Sequence, residues 1–338
     1  MARPGPRNLI TDVPGLKVGN AEAPAALTGV TVVLPQTRAV AGCDIRGGAP
    51  GTRETDALDP TCLVDAVDAV VLSGGSVYGL DAASGVVQAL SAQGRGFAIP
   101  GSPLVAPVVP GAILFDLNNG GDKAWGTEPP YRRLGIEACA AASENFSLGN
   151  AGAGLGARAG ALKGGLGSAS TVLDNGVVIG ALIAANPVGS VVIPGSATLW
   201  AGLFEQGNEL GGQAMPKGAV PLGWPEDGKT PKSFVPGANT TIGVVAVSAA
   251  LTPAEAKRIA IMAHDGLARA IRPVHTPLDG DSLFVLSTAA HPLAEPTPLA
   301  LAMIGMAAAD CVTRAVGRAV YAAESIGGIP SYRAQYGL

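Results

Sequence analysis

The chain has 338 residues, of which 48% are hydrophobic, 14% charged and 4% aromatic, with a formal net charge of −4. This length can bury a large core, and the balance excludes an intrinsically disordered chain. No Lys/Arg stripe interleaves with aromatic residues, so neither nucleic acid nor a membrane surface is expected as a partner.

The N-terminal run MARPGPRNLITDVPGL has no apolar h-region. Apolar stretches such as Leu299 to Ala309 fall short of the roughly 18 to 20 residues of a membrane span. Cys43, Cys62, Cys139 and Cys311 form no CxxC pair, and His264, His275 and His291 lack metal-ligand spacing. The expectation is a reduced, cytoplasmic protein with no metal and no cofactor.

In chain order, strand-like runs come first at Leu9 to Val18 and Gly29 to Leu34. Gly42 to Pro60 reads as a long loop, from its charges and its Gly/Pro content. Val67 to Leu72 is a short apolar strand, Ser73-Gly74-Gly75-Ser76 a turn, and Tyr78 to Leu90 a helix. Gly149 to Gly167 is glycine-rich but holds no phosphate-loop pattern. Strand-like runs at Gly176 to Ala184 and Gly189 to Ile193 flank Asn186-Pro187. Pro194 to Gly237 reads as a long mobile surface segment, where a chain break is easily accommodated. A β-branched strand runs from Thr240 to Ser248. The next helix opens with Thr252 as N-cap, Pro253 at its first position and Glu255 closing a capping box, and Arg272-Pro273 stops it. A strand at Asp281 to Ser287 and a helix from Thr297 to about Ala323 complete a mixed α/β pattern without linker or repeat.

Chemistry concentrates at few positions. Asn239-Thr240 lies at a loop-to-strand junction. A threonine freed there as a new N-terminus would carry a nucleophilic hydroxyl and its own amine base. Asp279 and Asp281 point to one face if the segment is extended, although Asp-Gly also suits a solvated turn. Lys163, among residues too small to hide it, can keep a nearby amine neutral or be a plain exposed lysine. Asn186 can donate to an oxyanion or close a turn. The amides of Ser73, Gly74 and Gly75 can face an anion or form a strand-to-helix turn. His275 reads as structural.

These pieces occur in one order: ITDVPGLKVGN (Ile10 to Asn20), DIRGGAPGTRETD (Asp44 to Asp56), LSGGSVYGLDAASGV (Leu72 to Val86), PVVPGAILFDL (Pro107 to Leu117), NAGAG (Asn150 to Gly154), ANPVG (Ala185 to Gly189), ANTTIGVVAV (Ala238 to Val247) and ARAIRPVHTPLDGDSLFVLST (Ala268 to Thr288). In that order the chain resembles the L-aminopeptidase/D-esterase family of self-cleaving hydrolases, nearest its nylon oligomer hydrolase branch. The resemblance implies a four-layer αββα sandwich of the N-terminal-nucleophile-like type. It implies one domain, 1–338, cut into an α-subunit, 1–239, and a β-subunit, 240–338, with Asn239 before the cut and Thr240 as nucleophile. Lys163 and Asn186 match the flanking lysine and asparagine, and Asp279 and Asp281 the paired aspartates. Phe115 stands where some members carry an oxyanion-site tyrosine, and it lacks the hydroxyl. With Ser73, Gly74 and Gly75 it would line the substrate site. The implied substrate is a small peptide or amide, and the implied assembly a homotetramer of αβ pairs. An acyltransferase of the ornithine acetyltransferase type and an uncut, non-catalytic homologue are the competing readings.

Overall fold

Strands that are apolar on both faces build the centre of this protein, whose computed structural model describes residues 2–229 and 239–338. In Val178–Asn186, Ile179, Ala181 and Ile183 face one layer while Leu182 and Ala184 face another. In Thr240–Ala249, Val245 and Val247 belong to the first layer and Ile242, Val244 and Ala246 to the second. Such strands must be covered on both sides, because alternate side chains leave opposite faces of a sheet.

The sheet that contains them has six strands, in the order Gly165–Val172, Val178–Asn186, Thr240–Ala249, Ser282–His291, Ala39–Ile45 and Ala66–Val67. Neighbours are antiparallel except for Thr240–Ala249 beside Ser282–His291. That parallel pair needs a crossover, and the helix Pro253–Ala270 supplies it. The helix starts where its capping box predicts. The Glu255 N–H donates to Thr252 Oγ1 (3.3 Å), and the Thr252 N–H donates to Glu255 Oε2 (2.7 Å). Together with the helix Thr297–Ala322, it covers the outer face through Ile259, Ala263, Leu267, Val312, Ala315 and Val316.

The inner face packs on a five-stranded sheet ordered Leu16–Ala23, Thr28–Pro35, Val70–Ser73, Gly111–Ile113 and Thr52–Arg53. The outer face of this second sheet carries the helices Asp81–Ala92 and Tyr131–Ala140, joined through Val30, Val32, Val86, Leu90 and Leu134. The expected αββα sandwich is the fold.

Several expectations are corrected. Gly42 to Ile45 is strand rather than loop, because Gly42 lies against the backbone of Ala256 and Lys257, where a Cβ would come within 2.5 Å of the Lys257 nitrogen. Ile10–Asp12 is a 3-10 turn, and the first strand begins only at Leu16. Gly189 to Ile193 makes isolated bridges (Ser190 with Arg272, Val192 with Leu199) instead of a strand. The Pro194 to Gly237 segment is not wholly surface, since Leu199, Ala201 and Leu210 are buried. Its part at 230–237, with Ala238, lies outside the described residues. The helix Thr297–Ala322 is long and apolar enough to cross a membrane by length and composition alone. Here it lies against the sheet and carries a buried Arg314–Glu209 ion pair (2.6 Å).

Candidate active site

Strand register assembles the site. Gly165 faces Ala185, Asn186 faces Thr240, and Ile242 faces Ser282. Lys163-Gly164, Asn186, Thr240 and Gly280-Asp281 therefore end side by side at one end of the six-stranded sheet. Alternation turns Thr240, with Ile242 and Val244, and Asn186, with Leu182 and Ala184, toward the space between the sheets.

Thr240 is 1% exposed. Its hydroxyl donates to the carbonyl oxygen of Asn239, the peptide bond that precedes it. The same carbonyl accepts the Gly280 N–H at 3.1 Å. The Asn239 side-chain oxygen is buried without a partner among the described residues.

The two aspartates flank this peptide. Thr276 opens a tight turn, with the Asp279 N–H donating to its carbonyl (3.1 Å), and the chain then runs alongside Asn239 at Asp279. The turn thus exists at 276–279, and its last residue bridges Asn239. Asp279 Oδ1 accepts the Val188 N–H (3.1 Å), and its Oδ2 accepts the Thr276 hydroxyl (2.6 Å) and N–H (3.2 Å). Burial, then the charge of Asp281, pushes the Asp279 carboxyl up. Asp281 Oδ1 accepts the Thr241 N–H (2.7 Å), which ties it to the residue after Thr240. Its Oδ2 accepts the His275 N–H (3.1 Å) and lies 2.8 Å from His275 Nδ1.

Lys163 is fully buried, contrary to the reading of its neighbours as too small to hide it. Small neighbours let backbone close around it, and Nζ donates to the carbonyls of Gly154 and Gly164 at 2.8 Å each. Burial pushes its ammonium down to about 7, with the charge of Asp116 opposing. Unfolded lysine holds its proton to about pH 10.4, so the folded chain binds fewer protons between the two values. Stability from this group therefore rises with pH from about 7 to 10, by up to about 1.4 kcal/mol per pH unit. The difference between denaturation curves of the wild type and Lys163→Met is expected to show that rise. Parallel curves across the window would refute it.

Asn186 is the last residue of its strand, not a turn residue. Its Nδ2 donates to the Phe115 carbonyl (3.1 Å), and its Oδ1 accepts the Arg158 N–H (2.9 Å). Phe115, half-buried, thus reaches the site through its backbone. The Ser73-Gly74-Gly75 turn does not offer amides to a ligand, which corrects that expectation. The Gly74 N–H donates to the Gly29 carbonyl (2.9 Å), the Gly75 N–H to Asp116 Oδ1 (2.8 Å) and the Ser76 N–H to the Leu114 carbonyl (3.0 Å). Gly75 has φ +86°, and a Cβ there would strike the Tyr131 ring at 2.0 Å, so packing accounts for this glycine.

Sequence reasoning missed four residues. Asp116, pushed up to about 6 by burial, accepts the Thr28 hydroxyl (2.6 Å) and is the charge that acts on Lys163. His275 grips Asp281 from a left-handed backbone (φ +55°), an uncommon conformation for histidine. Arg158 and Lys229 converge on Asn186. Only the sequence proximity of His275 to Asp281 was a usable signal. A cavity of about 750 Å³ between Val192–Ala197 and Pro221–Asp227 is lined by none of the predicted catalytic residues.

Peptidase family S58 matches residues 8–333. An uncharacterized aminopeptidase of Mycobacterium tuberculosis is 46% identical over 96% of this chain and 97% of its own length. A 6-aminohexanoate-oligomer endohydrolase of Agromyces sp. is 31% identical over 82% of this chain and 74% of its own. Among solved structures, a Burkholderia sp. beta-aminopeptidase superimposes with a TM-score of 0.68 at 23% identity, covering 99% of this chain and 93% of that one. The L-aminopeptidase D-Ala-esterase/amidase of Ochrobactrum anthropi, described as a variant of the Ntn hydrolase fold, gives 0.67 at 24%, covering 98% and 90%. The two likenesses reproduce the αββα layering, and the match along nearly the whole sequence places this chain in peptidase family S58, as a hydrolase of peptide or amide bonds.

Proposed function

We propose that the protein cuts itself before Thr240 and then works as an N-terminal-threonine aminopeptidase or amidase. One observation carries the reading. The Thr240 hydroxyl lies against the Asn239 carbonyl, and the Gly280 N–H already donates to that carbonyl oxygen (3.1 Å).

In the precursor, Oγ1 attacks the Asn239 carbonyl carbon. The oxygen gains charge against the Gly280 amide, the C–N bond breaks, and the hydroxyl proton ends on the departing nitrogen. Water hydrolyses the resulting ester and leaves a free α-amine on Thr240. In the mature enzyme that amine takes the hydroxyl proton, Oγ1 attacks a substrate amide, and water releases the acyl group. Asp281 holds the start of the nucleophile strand through Thr241. When Lys163 is protonated, its charge lowers the proton affinity of the nearby amine and so favours the amine's basic form. Asn186 and backbone amides serve the oxyanion, since Phe115 has no hydroxyl to donate. The 46% identical relative named an aminopeptidase favours peptides over 6-aminohexanoate oligomers as substrate.

Denatured mass spectrometry of purified protein tests the proposal. Fragments of about 24 and 10 kDa, by residue count (239 and 99 of 338 residues), should replace the 33.4 kDa chain. A folded, intact chain that hydrolyses amides would sink it.

His275 supplies a further expected outcome. His275→Ala removes one donor from a buried carboxylate and should cost roughly 1.5–3 kcal/mol in chemical denaturation, with slower self-cleavage. His275→Asn should recover part of both, because asparagine tolerates the left-handed backbone and can donate an N–H. Equal losses in the two variants would deny His275 its role as a hydrogen-bonding clamp on Asp281.

A further inference from the structure

Lys229 Nζ and the Arg158 backbone meet at Asn186, and the Arg158 charge acts on Lys229. Lys229 Nζ lies 3.4 Å from Asn186 Oδ1 and 3.5 Å from its carbonyl oxygen. The Arg158 backbone donates to the same Oδ1 (2.9 Å), while its side-chain Nε is buried with no hydrogen-bond partner among the described residues. Neither side chain has an ion pair among the described residues. Asp279 is the carboxylate whose charge reaches Lys229, but both its oxygens serve Val188 and Thr276. Lys163, paired across the short hairpin from Arg158, is committed to two carbonyls. Burial, then the charge of Arg158, pushes the Lys229 ammonium down to about 7 with the charge of Asp279 opposing, and a half-buried guanidinium with a donor left unmade is costly unless an anion completes it.

Position identifies that anion. Asn186 faces Thr240 directly across the ladder, and such partners have Cα atoms about 4.5–5.5 Å apart. Lys229 Nζ, bonded to Asn186, therefore lies on the Asn186 side of Thr240, beside the region a scissile carbonyl must occupy. We infer that the substrate carries a carboxylate one residue beyond the scissile amide, and that Arg158 and Lys229 receive it. The carboxylate is either the C-terminus of a dipeptide or an acidic side chain at that residue. A guanidinium fork and an ammonium suit two carboxylate oxygens. The inference rests on Thr240 being the nucleophile.

The test uses the processed protein and three peptides: alanyl-alanine, its C-terminal amide, and the α-amide of alanyl-aspartic acid, in which the side chain alone is acidic and the C-terminus is blocked. At least one carboxylate-bearing peptide should exceed alanyl-alanine amide in kcat/KM by about tenfold or more, the scale of one charge-assisted contact. Which acid is preferred reports the source of the carboxylate. In Arg158→Gln and Lys229→Gln that ratio should fall toward one, with the change mostly in KM, and Arg158→Lys should restore part of it. A ratio near one in the wild type overturns the inference while leaving self-cleavage intact. An uncut but active chain overturns the nucleophile reading instead. A second readout needs no turnover. The leaving-group product alanine should raise the melting temperature more than alaninamide does in the wild type, and this difference should vanish in Arg158→Gln and Lys229→Gln. Equal shifts in the wild type count against the carboxylate site.

Discussion

Thr240→Ala is expected to remain a single chain of 33.4 kDa and to lose amide hydrolysis by at least about a thousandfold, the scale seen when a covalent hydrolase loses its nucleophile. The residue is 1% exposed and its hydroxyl is bonded locally to the Asn239 carbonyl, so alanine removes one oxygen from the site and little packing. The variant should therefore fold, and circular dichroism with a melting curve close to that of an uncut wild-type precursor would show it. Thr240→Ser keeps the hydroxyl and should still be cut, with a rate change set by the lost methyl and its rotamer restriction. Mass spectrometry separates the outcomes cleanly. Scission of Thr240→Ala at the same bond would remove the hydroxyl from the mechanism, and an uncut Thr240→Ser would show that a hydroxyl alone is insufficient.

Gly280→Ala should slow self-cleavage by roughly 10²–10³, the scale of losing one oxyanion donor. A Cβ at this position would lie 2.8 Å from Thr240 Oγ1, 2.7 Å from the Ala49 carbonyl oxygen and 3.2 Å from Pro50 Cα. None of these is the free end of a long side chain, so the backbone at Gly280 must move. Its N–H would leave the Asn239 oxygen, and the hydroxyl would be displaced from the carbonyl it attacks. The time course of fragment appearance after refolding gives the rate. Cleavage at the wild-type rate would mean that another donor holds the oxyanion. Gly280 does not have a positive φ, so the predicted loss comes from crowding rather than from backbone strain.

Local signals in the chain were read well where their physics is local. The Thr252-Pro253-Glu255 start, the Arg272-Pro273 stop and the β-branched run after Thr240 each depend on near neighbours in sequence, and each falls where expected. Signals depending on distant partners were misread. Gly42 looked like loop because glycine and charge dominate its surroundings, yet it is a strand residue pressed on a helix backbone. Ser73-Gly74-Gly75 looked able to hold an anion, yet its amides are spent on Gly29 and Asp116.

By itself the sequence determined the mixed α/β class and the order of the long elements, because alternation, caps and breakers act over a few residues. Its ordered motifs also marked Lys163, Asn186, Thr240, Asp279 and Asp281. Only the tertiary structure decided how these stand to one another. Strand register between segments far apart in the chain put Asn186 opposite Thr240, the Gly280 amide on the Asn239 carbonyl and His275 on Asp281. The burial of Lys163 and the meeting of Arg158 and Lys229 at Asn186 likewise depend on which backbone closes against which, and no spacing along a single chain encodes that.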